Sequence, residues 1–106
     1  MYDREKYLKR YHEIEKDNFT VYILKIENKN VFKVGKTNRL KYRLINLRQA
    51  LYENVDIYRL ISCPDSNSAI SLERKIQHML KEYRIRREWF ECDESKMDEI
   101  IKEFSN

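Results

Sequence analysis

Hydrophobic positions change their spacing along the chain, from a helical period near the start to a strand-like one. Residues 2–17 place apolar side chains three and four positions apart, which predicts an amphipathic helix. These side chains are Tyr7, Leu8, Tyr11 and Ile14. Residues 19–26 are instead rich in β-branched and aromatic side chains, and residues 31–34 resume that pattern after the turn-forming residues 28–30. The two segments predict an antiparallel hairpin.

The middle of the chain predicts a helix followed by a third strand. Thr37 or Asn38 can cap the helix, because either side chain can accept a hydrogen bond from a free backbone N–H. Its apolar face is marked by Leu40, Leu44, Leu47 and Leu51. Residues 55–61 then alternate in side-chain character as a strand does.

The last third of the chain predicts two more helices joined by a basic segment. A turn over residues 63–66 supplies Asp65 or Ser66 as the cap of a helix that runs to about residue 83. Residues 84–87 read as a basic connector, and Trp89-Phe90 as a short strand or extended piece. A closing helix over residues 93–104 has its apolar face at Met97, Ile100, Ile101 and Phe104.

These elements predict an α+β fold with a small, mostly antiparallel three-stranded sheet flanked by helices. Residues 1–18 would add an N-terminal helix to a domain formed by residues 19–106. The chain has 106 residues, which is enough for one hydrophobic core and too few for two. Only one glycine and one proline are present, and this scarcity favours long helices.

Charge and cysteine content narrow the class of protein. The 22 basic and 18 acidic residues give a net charge of +4, a mild bias toward polyanions that an ordinary soluble domain also reaches. Cys63 and Cys92 form no CxxC pair, and with two histidines the chain offers no convincing zinc set. Neither a signal peptide nor a run of about 20 apolar residues is present. We expect a soluble, intracellular protein that does not enter membranes.

Two strand residues are candidates for chemistry. Tyr22 lies in the first strand, where a tyrosine more often packs its ring and keeps its hydroxyl wet. Gly35 is the only glycine and sits between a strand and a helix. It would permit a positive φ or a close approach of a ligand, or it would simply form a tight turn. The helix after it offers N–H groups to a phosphate, but the P-loop spacing is absent.

Two helical charges lie at the rim of an apolar face. Arg43 borders the leucine stripe of its helix, and Glu73 lies at the edge of the apolar arc of the next helix. Arg74 and His78 point nearly opposite that arc. Rim charges either reach into a cleft or keep their stems packed while the charged end stays in water.

Taken as a set, these residues resemble the motifs of the GIY-YIG nuclease superfamily. Thr20-Val21-Tyr22 stands where that superfamily has a strand ending in Gly-Ile-Tyr, and residues 33–37 (KVGKT) stand where it has Tyr-Ile-Gly and a small polar residue. Lys33 therefore replaces the second tyrosine. Arg43 and Glu73 correspond to the arginine and the glutamate of the two helices that follow.

A closer similarity is to the branch named for a phage T-five open reading frame, which is related to a meiotically up-regulated fungal family. The shared segments are VYIL (21–24), KVGKT (33–37), RL-xxx-L (from Arg43), the LE-xxx-H helix (Leu72, Glu73, His78) and R-x-EWF (86–90). In this chain His78 lies five residues after Glu73. The resemblance covers residues 19–101 approximately.

The resemblance implies metal-dependent hydrolysis of phosphodiester bonds, that is, an endonuclease active on DNA. Glu73 would hold Mg²⁺ or another divalent cation, and Arg43 would stabilise the negative charge on the phosphate. Tyr22 would act as the general base or orient the water, with Lys33 or Lys36 supplying the positive charge that a tyrosine needs at neutral pH.

DNA is the partner that the resemblance implies, with RNA not excluded. The residues that we expect to contact nucleic acid are Lys36, Thr37, Arg39, His78, Arg84, Arg86 and Arg87. Trp89 beside the last three would stack on a base, or the stretch is a solvated connector leading into a core Trp-Phe pair. Three functions stay open: an endonuclease, a non-catalytic DNA-binding module of the same fold, and a protein-interaction domain.

Overall fold

The computed structural model describes residues 19–51 and 54–104. In chain order the elements are β1 (Thr20–Ile26), β2 (Val31–Thr37), α1 (Leu40–Ala50), β3 (Val55–Ser62), α2 (Ser66–Met79), a 3₁₀ turn (Lys81–Tyr83), β4 (Arg84–Arg86), β5 (Trp89–Glu91) and α3 (Glu94–Lys102). The predicted α+β class is confirmed. The helix predicted over residues 2–17 lies outside the described residues.

The prediction of a three-stranded sheet is wrong. Five antiparallel strands form one sheet in the order β3-β1-β2-β5-β4. The segment predicted as a basic connector is strand β4, which pairs with β5 across a two-residue turn. All three β4 side chains are exposed, so the segment shows no alternation. Its turn also lacks the glycine or asparagine that usually marks a hairpin in a sequence. Arg87 adopts the left-handed conformation in their place, with φ 50°.

Helices cover both faces of the sheet, which is why β1 is almost completely buried. Tyr22 and Leu24 face α1, whose Leu40 and Leu44 complete one apolar cluster. The alternate β1 residues face α2 and α3 and belong to a second, larger cluster. These alternate residues are Val21 and Ile23. As a result, α1 and α2 approach the sheet from opposite sides.

The helix ends agree only in part with the predictions. Asp65 caps α2, because its Oδ1 accepts a hydrogen bond from Ser68 N at 2.7 Å. Neither predicted cap acts on α1, where Arg39 occupies the capping position without a side-chain hydrogen bond. Thr37 Oγ1 instead accepts from Arg39 N at 2.9 Å. No helix in the described part of the chain is long and apolar enough to cross a membrane.

Candidate active site

The candidate site lies where the pairing between β2 and β5 stops. Strand β5 pairs with β2 only as far as Lys33, and Val34 N donates the next hydrogen bond to Glu88 O at 3.0 Å. The carbonyl oxygen of the same residue, Val34 O, accepts a hydrogen bond from the side-chain amide of Gln77 in α2 at 3.0 Å. Beyond this point, no strand among the described residues pairs with the edge of β2 that faces away from β1.

Gly35 sits at this open edge, and its role differs from the one predicted. Its φ is not positive, so no left-handed turn requires a glycine here. Gly35 is the cross-strand partner of Tyr22, and their side-chain positions share one face of the sheet. A Cβ on Gly35 would lie 2.3 Å from the Tyr22 hydroxyl oxygen and 2.4 Å from Cζ. The glycine therefore admits the close approach of the Tyr22 side chain.

The hydroxyl of Tyr22 is buried without a hydrogen-bond partner among the described residues. The side chain is fully buried, and its Oη is one of the few buried polar atoms that lack a bond. Burial raises the pKa of Tyr22. The guanidinium of Arg43 opposes this shift, although no completed hydrogen bond joins it to the hydroxyl, whereas Glu88 and Glu73 raise the pKa further. The hydroxyl thus lies within electrostatic reach of one cation and two carboxylates.

Glu73 reaches this edge from the other side of the sheet. Its side chain is only 12% exposed, and its Oε1 lies 3.8 Å from Lys36 Nζ. Burial raises the pKa of Glu73, Lys36 lowers it, and Glu88 raises it again. The prediction that Glu73 lies at the rim of the apolar arc agrees with this mostly buried position.

Lys33 is held by a residue that sequence reasoning missed. Its Nζ lies 2.8 Å from Glu88 Oε2, with the two side chains 11% and 37% exposed. The same ammonium lies 5.4 Å from the centre of the Trp89 ring, within cation–π range. The signal in the sequence was the EWF of R-x-EWF, where Glu88 had no assigned role. The positive charge was expected from Lys33 or Lys36, but Arg43 is the cation that lowers the pKa of Tyr22.

The model of one protein family matches most of the chain. The T5orf172 domain matches residues 20–105. The chain belongs to the T5orf172 domain family. This is the branch that the shared segments indicated, and the family is associated with nuclease-like domains. Among curated proteins and solved structures, none matches this chain.

The T5orf172 domain places the predicted nucleic-acid contacts in three regions. Lys36 and Thr37 end β2, and exposed Arg39 lies beside the Tyr42 ring, 5.7 Å from its centre. The second region is the β4–β5 hairpin, where the side chains of Arg84, Arg86 and Arg87 are all exposed. His78 is exposed on α2, about 140° around the helix from Glu73 by the helical period. It is therefore not brought to the Tyr22 edge.

A cavity in the domain lies away from this site. It has a volume of about 420 Å³ and is lined by Asn67, Ser68, Ser71, Leu72, Lys75 and Phe104. By the helical period, most of these α2 residues lie on the opposite side of the helix from Glu73. This cavity is therefore separate from the edge at Tyr22.

Proposed function

We propose that this T5orf172 domain is a metal-dependent endonuclease that hydrolyses phosphodiester bonds in DNA. One observation carries the proposal: the buried hydroxyl of Tyr22 has no hydrogen-bond partner within residues 19–51 and 54–104, and it lies within electrostatic reach of Arg43 from one helix and Glu73 from another. A buried polar group without a hydrogen bond costs about 1–3 kcal/mol, so native proteins retain few of them. A group that bonds to substrate or to the attacking water accounts for this one.

Tyr22 is suited to orienting water. Because burial raises its pKa, the hydroxyl keeps its proton at neutral pH and can both donate and accept a hydrogen bond. Loss of that proton during the reaction would need positive charge close by. Arg43 supplies charge of this sign, since its guanidinium already lowers the pKa of Tyr22.

Arg43 is suited to binding the phosphate. It is exposed on α1, above the face of the sheet that carries Tyr22. The guanidinium offers a planar fork of donors that matches two phosphate oxygens. A phosphate bound there would sit beside the Tyr22 hydroxyl, and the positive charge would stabilise the negative charge that develops on it.

The residues present fit a magnesium ion held in part by substrate. Within residues 19–51 and 54–104, no three acidic, histidine or cysteine side chains form a cluster that could hold a metal. Mg²⁺ needs only one or two carboxylates, with water and phosphate oxygens completing its shell, and Glu73 provides one. Such a cation, when bound, polarises the phosphate and acidifies a bound water. Lys36, now 3.8 Å from Glu73, would then be released toward the phosphate backbone.

A second candidate is a DNA-binding module that lacks catalysis. The observation in its favour is the ion pair itself: Lys36 already neutralises Glu73, so the charges balance with no metal. In that case Lys36, Arg39 and Arg43 would bind phosphates, and Glu73 would serve to position Lys36.

Cleavage of supercoiled plasmid distinguishes the two candidates. The purified protein is incubated with Mg²⁺, with a chelator, and as Glu73→Gln, which removes the charge while keeping the shape. Glu99→Gln on α3 is the matched control, because Glu99 is 70% exposed and far along the chain from the site. The endonuclease predicts Mg²⁺-dependent nicking that Glu73→Gln abolishes and Glu99→Gln retains. Wild-type protein that binds DNA without nicking it supports the binding module.

A protein-interaction domain would give a third result. Neither the wild type nor the two variants would then show salt-dependent binding to DNA, because that dependence arises from the release of counterions from phosphates. Nicking that persists in Glu73→Gln and in the chelator would instead reveal a contaminating nuclease and count against the assigned site.

A further inference from the structure

The β4–β5 hairpin carries an exposed hydrophobic side chain that the candidate site does not use. Ile85 is 55% exposed, although it lies in a strand of the sheet. Its two neighbours in β4, Arg84 and Arg86, are exposed as well. Scattered apolar residues on a surface are ordinary, so the exposure of Ile85 has meaning only together with the backbone geometry that produces it.

A bulge in β4 turns Ile85 out of the sheet. Arg84 pairs with Phe90 and Arg86 pairs with Trp89, so three residues of β4 oppose two of β5. Ile85 is the extra residue and has no partner position in this pairing. An extra residue of this kind bends the strand and re-aims its side chain. Ile85 therefore belongs to neither apolar cluster of the domain.

Arginines surround Ile85 on this edge. Arg84 lies over the Phe90 ring, 5.2 Å from its centre, and its guanidinium is 3.5 Å from Gln77 Oε1. Arg86 is the cross-strand partner of Trp89, and Arg87 forms the turn with a φ of 50°. The nearby acidic groups do not cancel this charge. Glu88 is engaged by Lys33 at 2.8 Å, and the charge of Glu82 in the 3₁₀ turn is balanced by the opposite charge of its chain neighbour Lys81.

We propose that the β4–β5 hairpin is a nucleic-acid contact in which Ile85 is a wedge that inserts against or between bases. This inference rests on the DNA-binding part of the proposed function. The three arginines suit phosphate oxygens on either side of the wedge, because each provides a charged fork of donors. Apolar wedges flanked by basic residues are a recognised means of unstacking a base step. A protein partner fits less well, since the centres of protein interfaces are depleted of charge.

Binding to a short duplex that contains one fluorescent 2-aminopurine tests the wedge. Affinity is measured over a range of salt concentrations in the presence of a chelator, so that no cleavage occurs. The variants are Ile85→Ala, Ile85→Leu and the matched control Ile45→Ala. Ile45 is also an exposed isoleucine, at 40%, but it lies on α1 on the side of the helix away from Arg43.

The wedge predicts a specific pattern. Ile85→Ala weakens binding by about tenfold, the loss expected for a half-exposed isoleucine that becomes buried, with an unchanged salt slope because no charge is removed. The rise in 2-aminopurine fluorescence that marks unstacking is lost in Ile85→Ala and retained in Ile85→Leu. Ile45→Ala behaves as the wild type. Matching thermal unfolding curves show that the variants are folded.

Other outcomes overturn the proposal. If Ile85→Ala and the wild type bind DNA with equal affinity, Ile85 is not a wedge, although the protein still binds DNA. A reduced salt slope in Ile85→Ala would mean that Ile85 acts by holding the arginines in place. Concentration-dependent dimers that Ile85→Ala abolishes would make this edge a contact between copies of the chain. If the wild type binds no DNA at low salt, the proposed function fails together with the inference.

Discussion

Replacing Gly35 with alanine puts a methyl group into space that the Tyr22 side chain already fills. The new Cβ would lie 2.3 Å from the hydroxyl oxygen, 2.4 Å from Cζ and 2.9 Å from Cε1 of that ring. Three contacts under 3.0 Å involve the rigid ring itself, which cannot fold away as a flexible side chain would. The ring is also fully buried, against Leu24, Leu40 and Leu44. Either the ring or strand β2 must move.

The expected cost follows from two opposing effects. Gly35 has no positive φ, so alanine would gain about 0.4–1 kcal/mol by restricting the unfolded chain. Overpacking a close-packed core costs about 1–3 kcal/mol, and contacts this short belong at the upper end of that range. The net loss in the free energy of unfolding is therefore about 2 kcal/mol. For a domain of this size the midpoint of thermal unfolding falls by about 10 °C.

Thermal and urea unfolding of four proteins provide the assay: wild type, Gly35→Ala, Tyr22→Leu and the double variant. Leucine has no atoms where Cζ and the hydroxyl of Tyr22 stand, so it removes the clash. Gly35→Ala should then cost little in the Tyr22→Leu background, and the two changes should be strongly non-additive. An equal cost in both backgrounds, or a more stable Gly35→Ala protein, would refute the account of why this position is glycine.

Three further predictions concern the turn, the ion pair and a helix cap. Arg87→Gly should raise the free energy of unfolding by about 0.5 kcal/mol, because the strain relieved at φ 50° exceeds the cost of the greater backbone entropy of glycine in the unfolded chain. Asn28→Gly should raise it less in the same urea titration, because asparagine tolerates the φ of 65° at that position. Glu88→Gln should lower stability by about 1 kcal/mol by leaving the buried Lys33 ammonium without its carboxylate, and a cycle with Lys33→Met should show coupling that additive losses would disprove. The hydrogen bond from Ser68 N lowers the pKa of Asp65 in the folded protein. The ionised carboxylate therefore stabilises the fold fully above its pKa in the unfolded chain, and this stabilisation is lost as pH falls through its pKa in the folded protein. Below about pH 4, unfolding curves of Asp65→Asn should change less with pH than those of the wild type.

The parts of the fold that the sequence predicted are those with a clear period or a known cap. The first hairpin, the leucine stripe of α1, strand β3 and the Asp65 cap of α2 all have local signals. The fifth strand was predicted only as a short strand or extended piece at Trp89-Phe90, and the fourth has no local signal. Strand β4 has three residues with exposed side chains, and its turn uses an arginine where glycine or asparagine is usual. Its place in the sheet depends on pairing with β5, which is a tertiary contact.

The reason for the single glycine was also beyond local reasoning. A glycine between a strand and a helix suggests a positive φ, the close approach of a ligand or a tight turn, and the φ of Gly35 is not positive. Its role follows from the register that sets it opposite Tyr22. Register depends on how two strands align, which neither residue shows by itself. Tyr22, Arg43 and Glu73 were named from motif resemblance, and their assignment as catalytic residues is still a proposal.

The fifth strand, which the sequence predicted as a short strand or extended piece, shapes the candidate site. It brings Glu88 onto Lys33 and Trp89 over the same ammonium, and its last pairing with β2 is at Lys33, two residues before Gly35. Had β5 continued, a strand would have covered the edge where Glu73 reaches β2 from α2. Had it been absent, Lys33 would face water. The short strand thus leaves one edge of a buried sheet open, and that opening lets charges from opposite faces act on a single tyrosine hydroxyl.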